Sequence, residues 1–132
     1  MNASSFLDNF VESKLLDLHT AFIGKVVSVG AGYTSCTVQP LARLKAYGKE
    51  AKSQSVVTNV PILKHARIKE IKLHCNPDTH EITSDITYIE AGDVVFCVCG
   101  DRDISETLNG GFATPPPGHH NLTDAVVVGI LN

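Results

Sequence analysis

The sequence predicts a mainly β domain: a small OB-type Greek-key barrel with an N-terminal helix and a short helix before the last strand. Two observations support this prediction. After residue 20, the apolar residues change from helical spacing to short runs bounded by turn residues, and at least five such runs follow. The last run, at 125–131, comes after a segment at 103–109 that can form one or two helical turns. Several short strands with one small helix before the last are typical of OB barrels.

Residues 4–19 are predicted to form an amphipathic helix. Apolar side chains recur there near helical spacing, at Phe6, Leu7, Phe10, Val11, Leu15 and Leu18. An apolar helix face is stable when another surface covers it, so we expect this helix to dock. We therefore divide the chain into an N-terminal docking helix at 1–20 and an OB-fold domain at 21–132.

The barrel strands are predicted from apolar runs between turn residues. The runs are 22–29, 35–40, 56–63, 94–99 and 125–131. Pro40 ends the second run because proline has no N–H to donate to a neighbouring strand. The run at 94–99 is apolar throughout, which predicts a central strand buried on both faces.

Two further runs, at 68–75 and 82–89, flank the turn-forming segment 76–80, Asn-Pro-Asp-Thr-His. This pattern predicts a hairpin inserted into the OB-fold domain at about 64–90. The first strand of the hairpin alternates apolar and polar residues imperfectly, and the second is rich in strand-forming Ile and Thr.

The composition disfavours several classes of protein. Eleven Lys and Arg against 14 Asp and Glu give a net charge of −3, and the chain has three Tyr, five Phe and no Trp. A weak basic field and few aromatic side chains disfavour single-stranded nucleic acid as a ligand. The apolar runs are far shorter than the ~20 residues of a membrane helix, and the N-terminus lacks the pattern of a signal peptide. We expect synthesis in a reducing cytosol and no stable membrane insertion.

Polar residues near the C-terminus are the candidates for a site. Asp101, Arg102 and Asp103 follow the 94–99 run, and they lack the His or pocket-bound carboxylate expected of an acid–base catalyst. No nucleophile elbow or phosphate loop is found elsewhere. We therefore predict no enzyme activity, no catalytic residues and no cofactor. Asp103 is expected to cap the short helix, and Arg102 to pair with a neighbouring carboxylate or carbonyl.

No metal site is predicted. His119 and His120 are the candidate ligands, but neighbouring side chains in an extended segment point apart, so one chain offers one histidine at most. In a symmetric trimer, one histidine from each chain could surround the axis. Cys97 and Cys99 share a strand face, yet no second cysteine pair completes a zinc site, and they are interpreted as buried apolar residues.

Six segments occur in an order that resembles a known family. They are 25–29 (K-V-V-S-V), 36–40 (C-T-V-Q-P), 60–62 (V-P-I), 91–95 (A-G-D-V-V), 100–104 (G-D-R-D-I) and 119–125 (H-H-N-L-T-D-A). Together they are similar to the N-terminal OB domain of central spike proteins, found in baseplates of contractile-tailed phages and phage-tail-like particles. The resemblance covers residues 20–131.

The resemblance implies a structural, non-enzymatic role. A protein of this family would be a homotrimer, made in the bacterial cytoplasm and located in the baseplate of a virion or phage-tail-like particle. It would join the tail hub protein and tail tube to a pointed tip that sheath contraction drives through the host envelope. Asp101, Arg102, Asp103, His119, His120 and Asp124 would then be structural or interface residues.

The chain also departs from that family pattern. Family spikes usually continue into a β-helical needle, whereas this sequence ends at Asn132, so we expect a separate needle or tip protein. The 64–90 insertion and the N-terminal helix are additions that would contact a neighbouring subunit or the hub. The alternative function is an OB-fold module that binds single-stranded nucleic acid, with Lys45, Lys49 and Lys52 as a modest basic cluster.

Overall fold

The computed structural model describes residues 3–16, 18–45 and 48–132, with the side chain of residue 16 left out. One α-helix precedes seven strands. Their bounds are α1 Ala3–Leu16, β1 Ala21–Val29, β2 Ser35–Pro40, β3 Val57–Pro61, β4 Ile68–Cys75, β5 Ile82–Tyr88, β6 Val94–Cys99 and β7 Ala125–Ile130.

Five of the strands form one antiparallel sheet, which we call the barrel sheet. Its strand order is β3-β2-β1-β6-β7. The sheet curls strongly, so that the segment after β3 meets β7 through a parallel bridge between Ile62 and Val127. The Leu63 N–H extends this contact by donating to the Val127 carbonyl at 3.1 Å. The predicted fold class is confirmed: the molecule is mainly β, with a five-stranded half-barrel that fits an OB-like barrel.

The core lies inside the curl of the barrel sheet. Its members come from inward-facing positions of the strands and the segments that follow them; the fully enclosed ones include Val38, Val95, Cys97, Ala125 and Val127. On β6, buried and exposed residues alternate, and Phe96 and Val98 remain 38% and 39% exposed. The prediction that this strand is buried on both faces was therefore wrong. A single curled sheet encloses one face of each strand, and the apolar outer face of β6 stays open to solvent.

One local prediction also differs from the structure. Helix α1 ends at Leu16 rather than residue 19, because the His19 N–H donates to the His120 carbonyl at 2.8 Å instead of continuing the helix. The predicted short helix before β7 is present as 3-10 turns, at Thr107–Asn109 and Leu122–Asp124.

Strands β4 and β5 form a separate two-stranded sheet, which we call the hairpin. It lies within the predicted 64–90 insertion, and its strand bounds agree with the apolar runs to within one residue. Its base is fixed by a hydrogen bond from the Ile89 N–H to the Arg67 carbonyl at 2.8 Å and by the Tyr33 and Tyr88 rings, stacked at 4.5 Å. Beyond this base, both strands are exposed along nearly their whole length.

Candidate interaction surfaces

At the corner formed by residues 100–104, two segments that carry sequence-predicted site residues meet. The Gly100 N–H donates to the Asp124 carbonyl at 2.9 Å, and the His120 N–H donates to the Asp101 carbonyl at 3.3 Å. These backbone bonds bring together the end of β6 and the segment that leads into β7. Main-chain hydrogen bonds therefore hold the corner together, and they join two of the six segments that carry the sequence resemblance.

Asp103 stabilises the turn that leaves this corner, because its Oδ1 accepts a hydrogen bond from the Ser105 N–H at 2.9 Å. It does not cap the short helix as the sequence predicted: the 3-10 turn at Thr107–Asn109 follows Glu106 and has no side-chain cap. Hydrogen bonds from the Ser105 side chain and backbone lower the pKa of Asp103 from its usual value. The turn closes through the Leu108 N–H and the Ile104 carbonyl at 3.0 Å and stops at Gly110, whose φ of 85° suits glycine.

Asp124 is the buried carboxylate of the corner, with 5% of its surface exposed. Burial raises the pKa of Asp124, and the negative charge of Asp103 raises it further. A hydrogen bond from the Ile104 N–H to Asp124 opposes these effects by lowering the pKa. The sequence motif includes Asp124, but its burial depends on the packing of β7 against the corner and had no local signal.

The two aspartates share a cleft of about 180 Å³ with Thr58 and Asn59 on β3. A raised and a lowered carboxyl pKa side by side can serve acid–base chemistry. In this corner, however, both carboxylates accept a hydrogen bond from a backbone N–H of the turn after Asp103: Ser105 for Asp103 and Ile104 for Asp124. The arrangement therefore fits a structural role in shaping the corner.

We expect Asp124→Asn to make the folded protein more stable at pH 7. The pKa of Asp124 is raised on folding, so its stabilising contribution is full below the unfolded pKa and is lost as the pH rises through the folded pKa. Asparagine is uncharged, keeps an oxygen for the Ile104 N–H, and can donate its amide to Asp103. Urea unfolding at pH 7 and at pH 3.5 checks this, since the advantage should shrink at the lower pH.

The control for this prediction is Asp124→Ala, which removes the acceptor of the Ile104 N–H and should be less stable than the wild type at both pH values. A lower stability of Asp124→Asn at pH 7 would contradict the assignment, because it would mean that the ionised carboxylate stabilises the corner.

Arg102, His119 and His120 are not drawn into a common site. In the described part of the chain, the Arg102 guanidinium has no hydrogen-bond or ion-pair partner, so the expected pairing is not seen. His119 is exposed and His120 half-buried, with ring centroids 6.4 Å apart. Among residues 3–16, 18–45 and 48–132, no group of three or more His, Cys, Asp or Glu side chains comes close enough to hold a metal ion.

Three of the four cysteines line the core rather than a site. Cys36, Cys97 and Cys99 are buried and free, and Cys75 is exposed on the hairpin. Burial raises the pKa of Cys36 to about 11 and that of Cys97 to about 12. The buried thiols therefore stay protonated at neutral pH and act as small apolar side chains.

The hairpin presents one apolar face to solvent. Its register pairs Ile71 with Ile86, Leu73 with Ser84 and Cys75 with Ile82, and directly paired residues share a face. Leu73 and Ile82 are 72% and 73% exposed. The opposite face carries polar and charged residues, at Glu70, Lys72, His74, Thr83, Asp85 and Thr87.

A cluster of charges joins the hairpin to the barrel sheet. The Lys69 Nζ donates to Asp93 Oδ1 at 2.9 Å and to Glu90 Oε1 at 2.7 Å. Asp93 is 7% exposed, and its Oδ2 also accepts the Glu90 N–H at 2.9 Å. The hydrogen bonds that Lys69 donates, first to Glu90 and then to Asp93, raise its pKa. These contacts fix the direction of the hairpin, and sequence reasoning missed them because the partners lie more than 20 residues apart.

Helix α1 carries a second exposed apolar face. Its apolar side chains lie in i, i+4 rows and are all more than half exposed: Phe6, Leu7, Phe10, Val11 and Leu15. In the described part of the chain, no helix has the length and apolar character needed to cross a membrane. The face of α1 has the pattern of a docking helix, and none of the residues at 18–45 and 48–132 buries it.

The lysines of the polar loop provide no comparable surface. Lys45, Lys49 and Lys52 are all exposed, and Lys52 pairs through its backbone with Leu44. Lysines on a solvated loop interact weakly with their surroundings. No known protein-family model matches this sequence.

Proposed function

We propose that this protein is a non-enzymatic structural component of a contractile tail baseplate: an OB-domain spike or hub-to-spike adaptor that supports envelope penetration. It acts as a homotrimer between the tail hub protein and tail tube on one side and a separate needle or tip protein on the other. It is made in the bacterial cytoplasm and then incorporated into a virion or phage-tail-like particle.

The observation that carries this proposal is the exposed apolar character of two elements outside a well-packed barrel sheet. Both α1 and the hairpin present apolar faces that the described residues leave uncovered. Large exposed apolar surfaces mark sites of protein association. An assembly component needs such surfaces, and it also needs a stable module to hold them.

The corner supports the same proposal. The family-like segments at 100–104 and 119–125 contact each other through the Gly100–Asp124 and His120–Asp101 backbone bonds. Asp103 and Asp124 accept backbone N–H groups there. The residues that carry the resemblance thus serve the fold of the module, which supports a role that needs a stable module.

Localisation tests the proposal most directly. Phage or phage-tail-like particles should be purified from the source bacterium and probed with antibodies against this chain. We expect labelling at the baseplate end and, after deletion of the gene, particles that no longer penetrate target cells. Absence of the chain from intact, active particles would overturn the proposal.

A binding measurement separates the proposal from the nucleic-acid alternative. Fluorescence anisotropy with labelled single-stranded oligonucleotides at low salt should show no saturable binding. Saturable binding that Lys45→Ala and Lys49→Ala weaken, and that salt weakens steeply, would favour the alternative function.

A further inference from the structure

Both strands of the hairpin are exposed to solvent at nearly every position. A two-stranded hairpin is marginally stable in water, and a third strand or a covering layer is needed for stability. In the described residues, β4 and β5 pair only with each other, so each strand leaves one edge unpaired. Unpaired edges beside an apolar face are the usual sites of strand-to-strand association.

The chain exposes more surface to solvent than a compact monomer of the same mass. The protein exposes 9351 Å² at a mass of 14.2 kDa. A compact monomer of this mass exposes about 6,800 Å², so the excess is about 2,600 Å². A standard interface removes about 800 Å² from each partner, and obligate homomeric interfaces remove more. The excess is therefore large enough for an obligate interface between copies.

The open edges and the charges of the polar face together indicate which edges meet. On this face β4 carries Glu70, Lys72 and His74, whereas β5 carries one ionisable residue, Asp85, between two threonines. Pairing β5 with β5 would oppose aspartates, and pairing β4 with β4 would leave both β5 edges unpaired. Pairing β4 with β5 uses both edges and allows Lys72 of one copy to lie beside Asp85 of the next, which stabilises a sheet.

We propose that the hairpin joins copies of this chain, with the β4 edge of one copy paired antiparallel to the β5 edge of the next. Because the two edges differ, the contact is head-to-tail rather than two-fold, and a head-to-tail contact whose rotation closes forms a ring. The contact extends the sheet and aligns the apolar faces, and closure of the ring with these faces inward buries Leu73 and Ile82. The number of copies in the ring, three, rests on the proposed function.

A matched pair of variants tests the role of the apolar face. Leu73→Glu changes a side chain that is 72% exposed in the single chain, so its fold should be retained. Thr83→Glu places the same charge on the neighbouring strand but on the polar face. Light scattering of the full-length protein over a concentration series should show a closed oligomer for the wild type and for Thr83→Glu.

For Leu73→Glu, the concentration at half-association should rise at least ~100-fold, because association would bury an unpaired charge. Thermal unfolding of the dilute variants checks that both remain folded. A wild-type protein that stays monomeric at millimolar concentration, or equal association of the two variants, would overturn the inference.

Cross-linking tests which edges meet. One tagged chain carries His74→Cys on β4, and a second, untagged chain carries Thr83→Cys on β5; both carry Cys75→Ser. A short thiol cross-linker added to an equimolar mixture should join tagged to untagged chains at least fivefold more often than like chains. A product dominated by two His74→Cys chains would show a two-fold contact, and this result, or no product at all, would reject the head-to-tail pairing.

The native Cys75 supplies a readout without cross-linking. It lies on the apolar face, and the other three thiols are buried. Its rate of reaction with a thiol reagent should fall at least tenfold as the wild-type concentration passes through the association range, and should not fall for Leu73→Glu. A rate independent of concentration would count against the contact. These measurements use the purified chain, so they can fail while the particle localisation succeeds, and the reverse.

Discussion

Gly24→Ala is expected to lower the free energy of unfolding by about 2–3 kcal/mol, the upper part of the range for overpacking a core. Gly24 lies on β1 opposite Pro40 and faces the core. A β-carbon there would overlap the Cγ1 of Val38, a buried β-branched side chain with little freedom to move, and would lie 3.2 Å from the Gln39 carbonyl oxygen. Urea unfolding followed by circular dichroism measures the change, and the melting temperature should fall by roughly 8–12 °C.

The control is Gly129→Ala on β7 of the same sheet. A β-carbon at Gly129 would meet no atom within 4 Å. Alanine in a strand is favoured over glycine by about 0.5–1 kcal/mol, so this variant should be neutral or slightly more stable. Equal losses at Gly24 and Gly129 would contradict the prediction, because they would indicate a general cost of losing glycine rather than a steric conflict with Val38.

Asp93→Ala is expected to lower the free energy of unfolding by about 3 kcal/mol, as when one partner of a buried charge pair is removed. The substitution leaves the Glu90 N–H without its side-chain acceptor and deprives the Lys69 ammonium of its buried partner. We also expect the base of the hairpin to loosen, because Lys69 belongs to β4 and Asp93 precedes β6. Chemical unfolding measures the stability, and hydrogen exchange of β4 and β5 amides measures the loosening.

Glu90→Ala is the matched control, since Glu90 contacts the same Lys69 Nζ. Its carboxylate is 65% exposed, so its loss should change stability by less than about 0.5–1 kcal/mol. Faster exchange in the hairpin should follow the Asp93 substitution and not the Glu90 one. Similar effects of both variants would show that the exposed ion pair, rather than the buried carboxylate, orients the hairpin.

The strands were the most predictable elements of this chain. The bounds of β2 and β6 agree with the apolar runs 35–40 and 94–99, because turn residues or Pro40 end each run locally. The extent of α1 was less predictable: its C-terminal end depends on the hydrogen bond between His19 and His120, about a hundred residues away. Local sequence patterns carry no information about such distant partners.

The candidate interaction surfaces were also predictable only in part from local sequence. The strand-forming runs at 68–75 and 82–89 around a turn segment predict a hairpin, and the helical spacing of Phe6 and Phe10 predicts a docking face. The sequence pattern does not show that these faces stay uncovered in the single chain, nor that Lys69 and Asp93 orient the hairpin. His119 and His120 were candidate residues in the sequence, but the structure brings them into no common site. Asp124 is instead the buried carboxylate of the corner, and its neighbours in the sequence do not indicate this burial.

The sequence alone determined the fold class, most strand boundaries and the resemblance in the order of six segments, because strand periodicity and turn chemistry are local properties. Tertiary structure decided which face of β6 is buried, how the segment after β3 closes on β7, and why Asp103 and Asp124 differ in pKa. Burial, closure and pKa depend on atoms that come together from distant parts of the chain. Only the folded arrangement specifies them.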